Sequence, residues 1–273
     1  MISADTSIGF IGAGNMAGAL IEGLLANGVE PARLWASDTD LARLSALAIK
    51  GVRTSAANAD LVKACEVLVL AVKPQVMATV VRELQTELQG KSCLLVSIAA
   101  GIQIASLQQW TSPRQAIVRC MPNTPALVLA GATGVVANAQ VSAGQKELAD
   151  AILKAVGLVC WLDTEDQLDA VTALSGSGPA YFFLMIEAMQ AAGTKLGLPA
   201  AVANALTLQT AFGAAKLALQ SDVDAAELRR RVTSPNGTTE AALKQFEHDS
   251  FRELVERALG KAATRSRELA VGK

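Results

Sequence analysis

Ile8-Gly9-Phe10-Ile11-Gly12-Ala13-Gly14-Asn15-Met16-Ala17 decides the fold. Its first residues form an apolar, β-rich run, and the glycines open a helical pattern that ends near Ala26. A strand that turns on glycine straight into a helix is the start of a βα unit. Gly12 permits the tight turn, Gly14 lets the backbone approach a pyrophosphate, and the small Ala17 lets helix and strand pack closely. The helix start offers free N–H groups and the positive end of a dipole. A glycine-rich turn can exist for geometry alone, but one in the first βα turn of an alternating chain points to dinucleotide binding.

The alternation continues to about residue 162. Apolar runs at Ile8–Gly12, Arg33–Ser37, Val67–Val72, Cys93–Ala99, Ala116–Cys120, Thr133–Ala137 and Leu158–Leu162, with a weaker one near Gly51–Thr54, are separated by helical patterns. Their near-continuous hydrophobicity predicts strands covered on both faces, with helices on either side of the sheet. From Thr164 the strand signal stops and helices rich in Ala and Leu follow, with start signals at Thr164-x-x-Gln167, Asp224-x-x-Glu227 and Ser250-x-x-Glu253. The expectation is a Rossmann-type, doubly wound, mostly parallel α/β domain over residues 1–163 and an all-α domain over 164–273.

Gly197-Leu198-Pro199 stops one helix and starts another, giving a pair over about 178–196 and 199–219. Tyr181, Phe182, Phe183, Leu184, Met185, Ile186 and Met189, then Val202, Leu206, Leu208, Phe212, Leu217 and Leu219, leave hardly a polar face on either helix. Helices apolar all round need burial on all sides, more than a small helical domain provides, so the chain is expected to self-associate through them. The alternative is a monomer whose first domain covers the excess. The last helix, about 250–270, reads as an ordinary amphipathic closing helix with a stripe of Phe251, Leu254, Val255, Ala258, Ala262 and Leu269.

Composition excludes other classes. With 273 residues, 51% of them hydrophobic, and 24 basic against 25 acidic side chains, the chain is globular and nearly neutral. Its charges are scattered, so neither nucleic acid nor an acidic membrane is an expected partner. The four cysteines, Cys65, Cys93, Cys120 and Cys160, stand in apolar runs with no metal spacing; the expectation is buried, reduced thiols and no metal. Met1–Ser7 carries no basic region and no long stretch is uniformly apolar, which makes the cytoplasm the expected compartment.

Ligands of an open α/β sheet sit beyond the carboxyl ends of its strands. Asp38, after the second strand, is placed to accept from ribose hydroxyls, an arrangement that favours NADH over a coenzyme with a 2′-phosphate unless Lys or Arg from elsewhere offsets the repulsion; the alternative is a helix cap before Leu41. Ala71-Val72-Lys73-Pro74, Ser97-Ile98-Ala99-Ala100-Gly101 and Met121-Pro122-Asn123-Thr124-Pro125 follow further strands. Lys73 is either a surface charge or a cation beside the phosphate path, and Asn123 can meet the carboxamide or ribose of a cofactor. Leu174-Ser175-Gly176-Ser177-Gly178-Pro179 and Thr233-Ser234-Pro235-Asn236-Gly237-Thr238-Thr239-Glu240 are nests at helix starts, suited to a small carboxylate or simply to capping.

Taken in order, the segments at 9–17, 71–74, 97–101, 121–125, 175–181 and 234–239 resemble the Δ1-pyrroline-5-carboxylate reductase family, over about residues 8–270. The resemblance implies reduction of a cyclic imino acid to L-proline by NADPH or NADH, the last step of proline biosynthesis, in interlocked dimers that often form a decamer. It implies that Ile11, Gly12, Ala13, Gly14, Asn15 and Met16 cradle the pyrophosphate, and that Asp38 and Asn58 meet the adenosine end. Ala71, Val72, Lys73 and Pro74 with Ala99 and Ala100 would line the nicotinamide half. Ser234, Gly237, Thr238 and Thr239 would hold the substrate carboxylate, across to a cofactor on the other subunit, with Ser175 and Gly176 also on the substrate side. Thr172 matches a position near the imine nitrogen and is the candidate for proton relay or orientation, core hydrogen bonding being the alternative. Two departures stand out: Asn236 replaces a usual glycine, which suits a positive φ, and Asp38 conflicts with a 2′-phosphate.

The single histidine, His248, reads as a surface residue near a helix end. Two rival readings are a β-hydroxyacid dehydrogenase, disfavoured because Pro179 to Glu187 contain no Lys, and a non-enzymatic dinucleotide sensor.

Overall fold

The computed structural model describes residues 2–3 and 5–270, so the stretch Met1–Ser7 read above lies partly outside the described residues. Strands β1 (Ile8–Ile11), β2 (Leu34–Ser37), β3 (Arg53–Ser55), β4 (Val67–Leu70), β5 (Leu94–Ser97), β6 (Ile117–Met121), β7 (Gly131–Ala137) and β8 (Gly157–Trp161) form one sheet in the order 3-2-1-4-5-6-7-8. The first six are parallel; β7 runs antiparallel to β6, and β8 pairs parallel with β7. The order 3-2-1-4-5-6 is that of a doubly wound dinucleotide fold.

Period-two alternation divides the strand side chains between two cores. Ile8, Phe10, Val67, Val69, Leu94 and Val96 enter one; Ile11, Leu68, Leu70, Leu95 and Ile117 enter the other. Helices α1 (Asn15–Ala26), α2 (Leu41–Ile49), α3 (Asn58–Ala64), α4 (Pro74–Glu83), α5 (Gln85–Leu88), α6 (Ile104–Trp110) and α7 (Ala143–Lys154) join the strands, and α8 (Gln167–Val171) follows the last of them. Leu20 and Leu24 of α1, Leu44 of α2 and Ile152 of α7 close the first core; Leu61, Met77, Leu107 and Leu168, from α3, α4, α6 and α8, close the second. Each face of the sheet thus has its own helical cover, as continuous apolar strands require.

Three expectations need correction. β8 is not covered on both faces: its residues alternate between half-buried and exposed, leaving Leu158 and Cys160 outward, so Cys160 is exposed while the other three thiols are buried. The weak strand begins at Arg53 rather than Gly51, because Gly51 has φ +85° and serves the turn after α2. The cap of α2 is Asp40, which accepts from the N–H groups of Ala42 and Arg43, and not Asp38.

The chain divides into two compact units. One runs through Ser177 and resumes at Ala262; the other is Gly178–Lys261. The strands therefore end well before the first unit does. Beyond β8, α8 lies so close to the sheet that a Cβ on Gly134 would stand 2.7 Å from the Val171 methyls. The chain then widens into a π-turn, Thr172–Gly176, in which Ser177 N–H reaches the Thr172 carbonyl at 2.8 Å. Residues from Ala262 return to this unit, where buried Ser266 donates to Asp169 at 2.6 Å.

The second unit contains α9 (Gly178–Lys195), α10 (Ala200–Leu219), α11 (Ala225–Arg231), α12 (Thr238–His248) and the first turns of α13 (Phe251–Ala270). Gly197, with φ +101°, ends α9 as its sequence predicts. Phe182 of α9 is 72% exposed and Phe212 of α10 is 60% exposed, and Leu184, Leu206 and Leu217 are exposed as well. The stripe on α13 does not close this chain either: Leu254, Val255 and Leu269 are exposed, and only Ser266 of that helix is buried. Apolar surface on this scale marks an interaction surface.

Candidate functional site

Strand order reverses between β1 and β4, which opens a crevice beyond their carboxyl ends. The glycine-rich turn lies there. Gly12 has φ +97°, and a Cβ on it would stand 2.9 Å from the Ala71 carbonyl, so no side chain fits. Its N–H donates to Ser37 O, and Ala71 N–H donates to Ile11 O, tying three strand ends together. Ile11 is wholly buried in the second core, so its contribution to the site is to fix the turn. No side chain caps α1, which begins after Gly14; Ala13, Gly14 and Asn15 line an open cavity of about 310 Å³ there with Arg43. An uncapped helix start with glycine backbone before it fits a pyrophosphate.

At the end of β2, Asp38 turns inward. One carboxylate oxygen accepts from Ala13 N–H at 2.7 Å and the other from Asp40 N–H at 2.8 Å. Burial alone would push its carboxyl up, but these two N–H groups and the Arg43 guanidinium outweigh that and hold it below the ordinary carboxylate range. Beside it, the hydroxyl of buried Ser37 donates to Asn58 Oδ1 at 2.7 Å and so leaves the Asn58 amide N–H groups as donors. Ala71 to Pro74 connect β4 to α4; Pro74 takes the first turn, and the exposed Lys73 makes no ion pair among the described residues. Ala99 is buried and Ala100 exposed in the turn after β5, which Gly101 completes at φ +75°.

Asn123 follows β6 and is buried. Its Nδ2 donates to Ser175 O at 3.0 Å, and its Oδ1 accepts from Ala132 N–H at 2.9 Å. The side chain is thus committed to the protein at both ends and braces the π-turn. Gly176 completes the contact, since a Cβ there would stand 2.8 Å from Met121 Cε. Within that turn Thr172 Oγ1 donates to Leu168 O at 2.7 Å and Ser175 Oγ to Val171 O at 3.1 Å. π-turns of this kind are frequent at functional sites.

The second nest belongs to the helical unit. Asn236 has φ +61°, the conformation anticipated for it, and Gly237 N–H donates to Ser234 O at 3.0 Å. No side chain caps α12, and Ser234, Thr238 and Thr239 surround its start. Glu240 reaches back to Asn236 N–H at 2.7 Å and pairs with Lys244; these contacts lower its carboxyl pKa. His248 closes α12 and is exposed.

Residues 165–269 match the family model described as pyrroline-5-carboxylate reductase dimerisation, and residues 7–101 that described as NADP oxidoreductase coenzyme F420-dependent. A pyrroline-5-carboxylate reductase of Pseudomonas aeruginosa is 56% identical over 264 residues, 96% of each chain. The chain belongs to the pyrroline-5-carboxylate reductase family. Among solved structures, a pyrroline-5-carboxylate reductase from Coxiella burnetii superposes with a TM-score of 0.95 at 44% identity, covering 97% of this chain and 99% of that one. A Plasmodium falciparum pyrroline carboxylate reductase with NADP bound does so with a TM-score of 0.86 at 30% identity, covering 98% and 99%. With a dimerisation helical region and outward apolar faces, this family member self-associates.

Two features of this reductase escaped the sequence reading. Arg43 lies beside the glycine-rich turn; its signal was a cation in the first turn of α2, the wrong sign for a helix dipole. The buried Arg119 of β6 pairs with Glu165 at 2.6 Å, and the same oxygen accepts from Ile104 N–H at the start of α6, fastening the approach to α8. A charge inside an apolar strand was the available clue. Among the described residues no cluster of His, Cys, Asp or Glu could hold a metal, and no helix is long and apolar enough to cross a membrane.

Proposed function

We propose that this chain reduces Δ1-pyrroline-5-carboxylate to L-proline with NADPH or NADH, the last step of proline biosynthesis. The observation that carries the reading is the uncapped start of α1 behind Gly12, set at the point where strand order reverses. Gly14, Asn15 and Met16 hold the pyrophosphate through backbone N–H groups, while Gly12 and Ala13, whose N–H groups go to Ser37 O and Asp38, shape the turn that admits it; Asp38 and the Asn58 amide meet the adenosine ribose; and Ala71 to Pro74, with Ala99 and Ala100, line the nicotinamide side. When bound, the reduced coenzyme supplies the hydride that adds to the imine carbon.

The protein's task is then placement and charge. The Thr172 hydroxyl donates a hydrogen bond to Leu168 O, which leaves its oxygen lone pairs to accept. A protonated imine N–H donates to that oxygen, so Thr172 orients the iminium. Hydride addition to an iminium yields a neutral amine directly, and that step requires no proton donor. Asn123, through Ser175, keeps the π-turn in place. Positioning of this kind is worth several kcal/mol, about 7–11 in the best-oriented cases.

The substrate carboxylate is held at the start of α12 by Ser234, Gly237, Thr238 and Thr239, reaching a coenzyme on the other subunit, with Ser175 and Gly176 on the substrate side. The domains are 1–163 for the dinucleotide and 164–273 for substrate binding and dimerisation, the dimers assembling further into a decamer. Free thiols at Cys65, Cys93 and Cys120 support a reducing compartment, the cytoplasm. The test is oxidation of NADH and of NADPH by the purified protein, followed by loss of the reduced-nicotinamide absorbance with Δ1-pyrroline-5-carboxylate added. Turnover with proline as product supports the proposal; folded protein that oxidises neither coenzyme overturns it. Sedimentation equilibrium reads the assembly, and a monomer would defeat the intersubunit site.

A further inference from the structure

We propose that the ion pair between Arg119 and Glu165 is a positioning device for hydride transfer, because it holds the turn that carries Ala99 and Ala100 in register with the π-turn that carries Thr172. The inference rests on the reductase reading above; both residues act through others.

Three segments meet at one carboxylate oxygen. The side chain of Arg119 in β6 is 8% exposed, and its Nη1 donates to Glu165 Oε1 at 2.6 Å; Ile104 N–H donates to the same oxygen at 2.8 Å. Ile104 opens α6 just beyond the Ala99–Gly101 turn, and the side chain of its N-cap residue, Gln103, does not cap that helix. Glu165 therefore supplies an acceptor that the local sequence lacks. From Glu165 the contact runs on through α8: its main-chain oxygen accepts from Leu168 N–H at 3.0 Å, and Leu168 O accepts from the Thr172 hydroxyl at 2.7 Å. On the other side of the pair, β6 leads past Met121 to Asn123, whose Nδ2 donates to Ser175 O at 3.0 Å. A continuous series of contacts thus joins the nicotinamide side to the hydroxyl that orients the iminium, with Arg119 anchoring its middle to the sheet. Stability does not account for a charge at that place, since apolar side chains of similar volume often replace buried ion pairs at no cost. What they would not supply is an acceptor facing Ile104 N–H.

The experiment compares steady-state kinetics, coenzyme affinity by fluorescence titration and urea midpoints at fixed protomer concentration. In the double variant Arg119→Met with Glu165→Leu both charges go while the volume is kept, so the midpoint should remain near wild type. Coenzyme affinity should stay within about twofold, because the turn at Gly12 is untouched, while kcat falls at least about tenfold, a misplacement of about 1 Å costing up to about a hundredfold. Arg119→Met with Glu165→Gln returns an acceptor to Ile104 N–H and should recover at least about threefold in kcat over the first variant. Wild-type kcat in the folded first variant, kcat and coenzyme affinity falling together, or no recovery in the second each overturn the inference. Should the first variant fail to fold, Ile104→Pro deletes the N–H and leaves the ion pair in place: Ile104 holds the first helical position, where proline is tolerated, and Gln103 before it is already extended at ψ 154°. There kcat should fall at least about threefold with coenzyme affinity kept, and an unchanged kcat overturns the inference. Folded wild-type protein without turnover would overturn the reductase reading instead.

Discussion

Replacing Asn123 by Ala tests whether the π-turn is held in place by a side chain that never touches substrate. The wild-type amide bridges two segments far apart in sequence, donating to Ser175 O at 3.0 Å and accepting from Ala132 N–H at 2.9 Å. Truncation strands one acceptor and one donor, both on half-buried residues. At about 1–3 kcal/mol for each polar group left without its partner, and with water recovering part of the loss at the open end of the site, the expected destabilisation is about 2–4 kcal/mol. That is a large share of a typical folding free energy of about 5–15 kcal/mol, yet the two sheet cores remain whole. Urea denaturation at fixed protomer concentration measures it, because an oligomer's stability depends on concentration. The kinetic signature should be selective: kcat falls because Thr172 and Ser175 are no longer fixed, while coenzyme affinity stays near wild type because the turn at Gly12 is untouched. A stability change below about 0.5 kcal/mol, within the range of an ordinary surface substitution, would refute the bracing argument. Equal losses in coenzyme affinity and kcat would instead place Asn123 on the cofactor.

Three further outcomes follow from the same geometry. Gly12→Ala requires a side chain at φ +97° with its Cβ 2.9 Å from main-chain atoms that cannot yield, so coenzyme affinity measured by fluorescence titration should fall at least about tenfold; wild-type affinity would contradict the close approach. Thr172→Val keeps shape and removes the acceptor, and should lower kcat about tenfold with coenzyme affinity unchanged and most activity restored in Thr172→Ser; an unaltered kcat would remove Thr172 from the iminium site. Burial pushes the Cys65, Cys93 and Cys120 thiols up to about 12, so at mildly alkaline pH iodoacetamide should leave them intact in native protein, any labelling mapping by mass spectrometry to exposed Cys160; modification of the buried three at comparable rates would show that the sheet cores open.

Much of the architecture was legible in local pattern. Apolar runs such as Val67–Leu70 and Leu94–Val96 announce strands covered twice, and the glycine-rich turn announces the crevice, because covered strands and uncapped helix starts are properties of consecutive residues. The same holds for the turn at Gly197 and for the positive φ of Asn236, where the residue type itself records the backbone conformation. The surplus of apolar side chains on α9 and α10 likewise announced a partner.

What pattern could not supply is the pairing of residues distant along the chain. Asp38 as clasp of the glycine-rich turn, Asn123 as brace of Ser175, Arg119 tied to Glu165 and Ser266 tied to Asp169 each join segments that meet only after the sheet has formed. The reversal of β7 and the bare outer face of β8 belong to the same class, since neighbouring strands and helical cover are chosen by packing and not by a strand's own composition. The sequence by itself determined which backbone shapes most segments adopt and where an uncapped helix start opens behind the glycine-rich turn. Tertiary structure alone decided which polar side chains remain available there, because a hydrogen-bonding group is free or committed only relative to neighbours that folding brings to it.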